Sequence, residues 1–319
     1  MIRKTTRINS NICNYNYDIN NNELRYWTKN NTINTSKLIL NQITLPTNYI
    51  ELITKTSNDL LNIIYENYKK IVNSSIENEL SNTNNDGAFF VLPSQFNGVE
   101  YPNHWTIVEN IISYTKDKTA GPHGQLTVHH AVGQFLLDNA ENENQKGLNG
   151  VKYLLSSFKS NIKLLNGYLD IPEDDKNANN VLLNLNKLII IGMKNVSVNS
   201  TNLHVNLIYA SAVPFDTYTN EYKNTNLISI CNYLMIGEYY GALAEAYLHY
   251  KSKEQKGKIY LMPLGGGAFN NDSNDIKRNL AVAILLLSQQ YKYFNHYLDI
   301  YLLTWKGNDK PYIEYNKGF

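Results

Sequence analysis

The chain has almost no cysteine. Cys13 and Cys231 are its only two, far apart and in no metal-like spacing, which argues against a disulfide framework and fits a reducing compartment such as the cytoplasm. It also lacks an excess of charge of either sign: 29 basic against 28 acidic residues leave a net charge of +1, and no basic stripe interrupts the balance. A nucleic-acid partner or an anionic membrane surface is therefore not expected. Long hydrophobic runs are missing as well, so neither a membrane span nor the apolar core of a secretory signal is expected, including over the first 20 residues.

What is present is a globular composition, 43% hydrophobic over 319 residues, enough for one large domain or two small ones. Asparagine makes up roughly one residue in seven and tyrosine is also over-used, with 25 copies. Together with Ile and Lys these are the residues an A+T-rich genome tends to encode, so most surface Asn is read as coding bias rather than chemistry.

The strongest local signal is Gly265-Gly266-Gly267, set between an apolar run (Ile259, Tyr260, Leu261, Met262, Leu264) and an amphipathic stretch starting near Ser273. This is a strand, a loop without Cβ atoms and a helix. Such a loop lets a ligand touch the main chain, and a phosphate suits the unpaired amides nearby. The spacing is neither GxGxxG nor that of a P-loop, because no Lys-Ser or Lys-Thr follows. A glycine turn that merely lets strand and helix pack closely is the alternative.

Other segments alternate in the same way. Residues 1–45 are weakly patterned, with one short strand over Leu38 to Ile43. Apolar positions Ile50, Ile53, Leu60, Ile64, Tyr68 and Ile71 predict a helix or a broken helical pair over 48–80. The polar run Ser81 to Asp86 separates an α-rich N-terminal extension (1–86) from a main domain (87–319). Strands are expected over 88–92, 187–193, 204–210, 259–264 and 296–305, and helices over 105–114, around Val132 to Leu136, over 228–250 and over 275–291, with a loop at 119–124. The order implies an α/β fold with a mixed, mainly parallel sheet covered on both faces. Ligands of such sheets lie beyond the carboxyl ends of the strands, where loops 94–102, 211–218 and 265–271 would gather.

Those loops hold the candidate chemistry. Gln95, Phe96, Asn97, Glu100 and Tyr101 offer amides, a carboxylate and aromatic faces for sugar hydroxyls and a base, though similar residues occur in ordinary turns. Gly121-Pro122 with Gly124-Gln125 marks a close-approach loop. Asp216 follows Val213-Pro214 at the end of a predicted strand, well placed to face a ligand. Asp272 and Asp275 are read as caps of the helix they open. His123, His129 and His130 lack the partners and the geometry of a metal site, so no metal is expected. Cys231, in an apolar helical run, is read as buried and inert.

Taken in order, Gln95-Phe96-Asn97 with Glu100-Tyr101-Pro102, Gly121-Pro122 with Gly124-Gln125, Gln134-Phe135 with Asp138-Asn139-Ala140, and Leu261-Met262-Pro263-Leu264-Gly265-Gly266-Gly267 with Phe269-Asn270 resemble the macrodomain superfamily, and within it the MavL-type ADP-ribosyl hydrolases, over about residues 87–305. The resemblance implies a three-layer α/β/α sandwich that binds ADP-ribose as ligand or product and requires no cofactor. It implies that Gly265, Gly266, Gly267, Ala268, Phe269 and Asn270 wrap the diphosphate and pack on the distal ribose. Gln95, Phe96, Asn97 and Tyr101 would hold that ribose, Gly121, Gln125 and Val213 would line the site, and Asp138 or the region of Tyr168 would meet the adenosine. Glu100 and Asp216 are the implied catalytic carboxylates. The chain departs from the poly-ADP-ribose glycohydrolase branch, since Asn270-Asn271-Asp272 stands where a Glu pair would follow the glycines. The implied activity is removal of mono-ADP-ribose from modified protein, arginine-linked and on ubiquitin, in the cytoplasm, or in the host cytoplasm for a viral or effector protein. A non-catalytic ADP-ribose reader and an interaction scaffold are the alternatives.

Overall fold

A computed structural model of the chain describes residues 15–28, 32–101, 103, 105, 106, 108, 110–117, 119–141, 146–157, 163–170, 177–213, 225–267, 269, 271–305 and 312. The strands are β1 (Tyr15–Asp18), β2 (Glu23–Trp27), β3 (Ile33–Gln42), β4 (Lys69–Asn73), β5 (Phe89–Ser94), β6 (Lys163–Leu165), β7 (Tyr168–Asp170), β8 (Ile189–Ser197), β9 (His204–Ser211), β10 (Gly257–Leu261) and β11 (Leu298–Thr304). The helices are α1 (Tyr49–Lys55), α2 (Asn58–Tyr68), α3 (Ile76–Leu80), α4 (Ala120–Thr127), α5 (His130–Asn139), α6 (Lys152–Leu155), α7 (Ala178–Leu183), α8 (Thr225–Ser252) and α9 (Ser273–Gln290). No helix among the described residues is long and apolar enough to cross a membrane.

The expected α/β fold is what forms. Among the described residues nine strands make one mixed sheet in the order β1-β2-β3-β8-β9-β5-β10-β11-β4, and β6 and β7 form a separate hairpin. The block β9-β5-β10-β11-β4 is parallel throughout, and β2 and β8 alone run against the other strands of the large sheet. Period-two alternation sends neighbouring side chains to opposite faces. Phe89 and Val91 of β5 join a core with α1, α2, α7, α8 and α9, while Phe90 and Leu92 join one with α3, α4 and α5. Strands buried on both sides must read as continuous apolar runs, as 89–92 does.

Several local expectations change. The helical stripe over 48–80 breaks into α1 and α2, and 69–73 is the edge strand β4, paired in parallel with β11. Residues 15–27 form a hairpin closed by Asn22 at φ 52°, and β3 pairs antiparallel with β8. The described part of the first 86 residues thus supplies four strands beside its helices, at both edges of the sheet. The helix expected over 105–114 is a 3-10 turn at Ile111–Lys116. The loop expected at 119–124 is instead the start of α4. Pro122 is tolerated in a first turn, where its missing N–H has no helical partner to lose, and Gly121 lets the helix press against the Pro93 carbonyl, 2.2 Å from where a Cβ would stand.

Candidate functional site

β9, β5 and β10 are neighbours that end on the same side of the sheet, so the connections leaving Ser211, Ser94 and Leu261 emerge side by side. Ligands of open α/β sheets bind in this crevice. The glycine turn opens onto it. Gly265 has φ +75°, and a Cβ there would lie 2.3 Å from Asn271 Nδ2 and 3.0 Å from the Ala212 Cβ, so only glycine fits. Gly266 and Gly267 are exposed, and nothing lies within 4 Å of a Cβ built on Gly267. The turn is held from below. Asn271 N–H donates to the Gly265 carbonyl (3.0 Å) and its Nδ2 to the Val213 carbonyl (3.2 Å), tying the glycine turn to the end of β9. The buried Tyr239 hydroxyl donates to the Met262 carbonyl (2.8 Å) and accepts from Leu264 N–H (2.9 Å).

The helix after the glycines does not offer a free N-terminus. Asp272 is its N-cap, as expected, and its Oδ1 accepts from Asn274 N–H (2.7 Å) and Asp275 N–H. The Gly266 N–H already donates to the Pro263 carbonyl (3.1 Å), so an anion here would meet the exposed Gly267 end of the turn rather than the amides of α9, whose dipole a carboxylate already complements.

The 95–101 loop is a tight turn: Gln95 N–H donates to the Val99 carbonyl (2.9 Å), Gly98 N–H to the Gln95 carbonyl (2.9 Å), and Gly98 has φ +81°. Asn97 is fully buried and spent on this turn, donating to the Glu141 carbonyl (3.0 Å) and accepting from Val99 N–H (3.1 Å). Phe96 is buried under the loop, and its N–H donates to the Gly167 carbonyl of the β6–β7 hairpin (3.0 Å). That hairpin carries Tyr168, whose hydroxyl donates to the Tyr101 carbonyl (2.9 Å) and whose ring lies 6.3 Å from that of Phe269. Tyr168 therefore links the 95–101 loop to the glycine turn. The sequence held a signal for this hairpin in Asn166-Gly167, both at positive φ (48° and 82°), the dipeptide that favours a two-residue turn.

Other candidates fall elsewhere. Asp138, on α5, accepts from the Tyr15 hydroxyl (2.5 Å) and from Gln134 Nε2 (2.9 Å), which makes it a tie between β1 and α5. His129 caps α5 through Nδ1, and His123 pairs with Glu77. Cys231 is buried and free. Asp216, Ala268 and Asn270 lie outside the described residues.

Glu100 sits on the α4 face of the sheet. It lines a cavity with Ser94, Gly98, Tyr114, Gly121, Gln125 and Tyr209 that shares no lining residue with the described part of the glycine turn. Burial and then the nearby Asp117 push its carboxyl up to about 8, against the opposing influence of the Thr119 side chain and the Gly121 N–H. Glu238, on α8, is buried beneath the end of β9, and desolvation raises its carboxyl well above the usual range, opposed by the Ser211 N–H. The sequence does not single Glu238 out, because nothing in an apolar helix marks which position meets a strand end.

No family model matches the sequence, and no curated protein matches it. Among solved structures the chain is similar to a macrodomain mutant from Oceanobacillus iheyensis, at 14% identity and a TM-score of 0.37, covering 77% of this chain and 88% of that one. It is also similar to the poly(ADP-ribose) glycohydrolase from Thermomonospora curvata, at 9% identity and a TM-score of 0.40, covering 90% of each chain.

Proposed function

We propose that this protein is an ADP-ribosyl hydrolase, binding ADP-ribose across the carboxyl ends of β9, β5 and β10 and releasing it from a modified protein. The observation that carries the reading is the bare, exposed pair Gly266-Gly267 beside the ends of two further strands, in a chain whose loop sequences resemble those of macrodomains. Main-chain amides from Gly267 onward would cradle the diphosphate, with Phe269 and Tyr168 beside the distal ribose. Cleaving the glycosidic bond builds oxocarbenium character at that ribose, which a carboxylate and the ligand's own phosphates stabilise. Glu100 lines a cavity that no described residue of the glycine turn reaches, so we give the chemical step to Asp216, in the connection that leaves β9, and leave Glu100 the work of holding its loop. The substrate class we favour is arginine-linked mono-ADP-ribose, with ubiquitin as the carrier, in a cytoplasmic setting.

Calorimetry with ADP-ribose and an ADP-ribose release assay test this together. Gly267→Val has room in the fold, so it should keep the thermal midpoint and weaken ADP-ribose at least about tenfold, near 1.4 kcal/mol. Asp216→Ala should keep binding and lose about 10²- to 10⁴-fold in release rate. Binding without turnover in the wild type would instead mark a reader, and no binding at all would reject both.

A further inference from the structure

The cavity beside Glu100 contains two orphaned polar atoms. Glu100 Oε2 and Gln125 Nε2 are both buried without a hydrogen-bond partner, and both residues line the same space. Such coincidences are rare, because an unpaired buried polar group costs about 1–3 kcal/mol. The orientation of the Gln125 amide is fixed from behind: the Tyr209 hydroxyl donates to its Oε1 at 2.8 Å, which leaves the NH₂ end for the cavity. The space offers about 20 Å3 to the centre of a water molecule, above the roughly 10–15 Å3 that one water needs. Its walls leave no route to closing the gap by collapse, since Gly121 and Gly133 are already packed so tightly that a Cβ would meet Pro93 O at 2.2 Å and Ile111 Cδ1 at 2.4 Å.

We propose that one buried water accepts from Gln125 Nε2 and donates to Glu100 Oε2, making Glu100 a positioning residue that fastens the 95–101 loop to α4. Thr119, the N-cap of α4, makes no side-chain capping bond of its own, and the Gly121 N–H of that first turn points at the Glu100 carboxyl. The Tyr114 hydroxyl completes the clamp by donating to the Glu100 carbonyl at 2.7 Å. The bridge deepens the reading above, because the loop it fastens is one wall of the proposed ADP-ribose cleft.

Burial and the neighbouring Asp117 favour the protonated acid here, against the Gly121 N–H and the Thr119 side chain, which favour the carboxylate. Among the described residues, the charged or titratable groups facing Glu100 are Asp117 and Tyr114, from the turn before α4, with Tyr209 of β9 across the cavity. None is a cation, and Asp117 repels an ionised Glu100. With the folded carboxyl near 8 and an ordinary value of 4.5, the folded state binds the extra proton between those limits. Stability from this group is then fully present below pH 4.5, falls as pH rises to about 8, and is level above.

Glu100→Gln keeps the shape of the protonated form, so the experiment is the thermal midpoint of wild type and Glu100→Gln across pH 4.5 to 9, with a high-resolution crystal structure of each. Expected are equal midpoints at the acid end, a variant increasingly more stable than wild type toward pH 8, and one water between positions 100 and 125 in both crystals. A variant less stable at every pH would show that the fold uses an ionised carboxylate and overturns the proposal, as would a dry cavity in the wild-type crystal. Neither readout involves ADP-ribose. Failure here leaves the proposed function standing, and failure to bind ADP-ribose leaves the water bridge untouched.

Discussion

At the scale of single residues, three neighbouring glycines do three different things. Gly265 is required by backbone conformation and by Asn271 beside it, a Cβ at Gly266 would press the Tyr312 hydroxyl at 2.8 Å, and nothing among the described residues requires Gly267. A glycine that the fold does not need is the one a ligand would need. Gly265→Ala forces an L side chain to φ +75° against Asn271 and should cost about 1–3 kcal/mol, read as a fall in the denaturation midpoint with or without ADP-ribose. Gly267→Val, in contrast, should be silent until ligand is added. The sequence shows three identical letters, and only the surroundings of each separate the positions the fold constrains from the one it leaves open.

At the scale of elements, strong periodicity was legible and tertiary tuning was not. The strands at 89–94, 204–211 and 298–304 and the helix at 273–290 fall close to where apolar runs and the Asp272 cap put them. Asp272→Ala should destabilise the protein by about 1 kcal/mol by orphaning the Asn274 and Asp275 amides, measured by thermal or urea denaturation. It should not weaken ADP-ribose, because the cap holds α9 rather than the ligand. The misread elements share a cause. α4 begins with Ala-Gly-Pro-His-Gly, poor helix-forming material, and is helical because its glycines let it lie against β5 and because Glu100 serves its first turn from another loop. β4 sits under a pattern that also suits a helix, and its pairing with β11, more than two hundred positions away, decides the matter. The Asn166-Gly167 hairpin could have been found from its turn dipeptide alone.

At the scale of the molecule, the sheet crosses the polar run at 81–86. β3 pairs with β8 from Lys37↔Lys194 to Gln42↔Ile189, and β4 pairs with β11 over five register positions. A chain reduced to residues 87–319 would leave β8 and β11 as bare edges, each a template for pairing with another chain. It should express as insoluble or non-cooperatively melting material, whereas soluble, cooperative unfolding of that fragment would show that 1–86 is dispensable. Asn-rich segments hid this arrangement, since β1 and β2 bury only part of one face and carry polar residues on the other.

By itself the sequence determined the class of fold, the strands buried on both faces and the glycine turn between strand and helix, because each is written in contiguous residues through local periodicity and backbone freedom. The tertiary structure decided which glycine stays open, that Asn97 and Asp138 are used up by the fold, that Tyr168 joins two loops of the cleft, and that Glu100 faces its own cavity. Those facts depend on what lies across a gap from each side chain, and pairing and burial between distant segments leave no mark on the residues nearby.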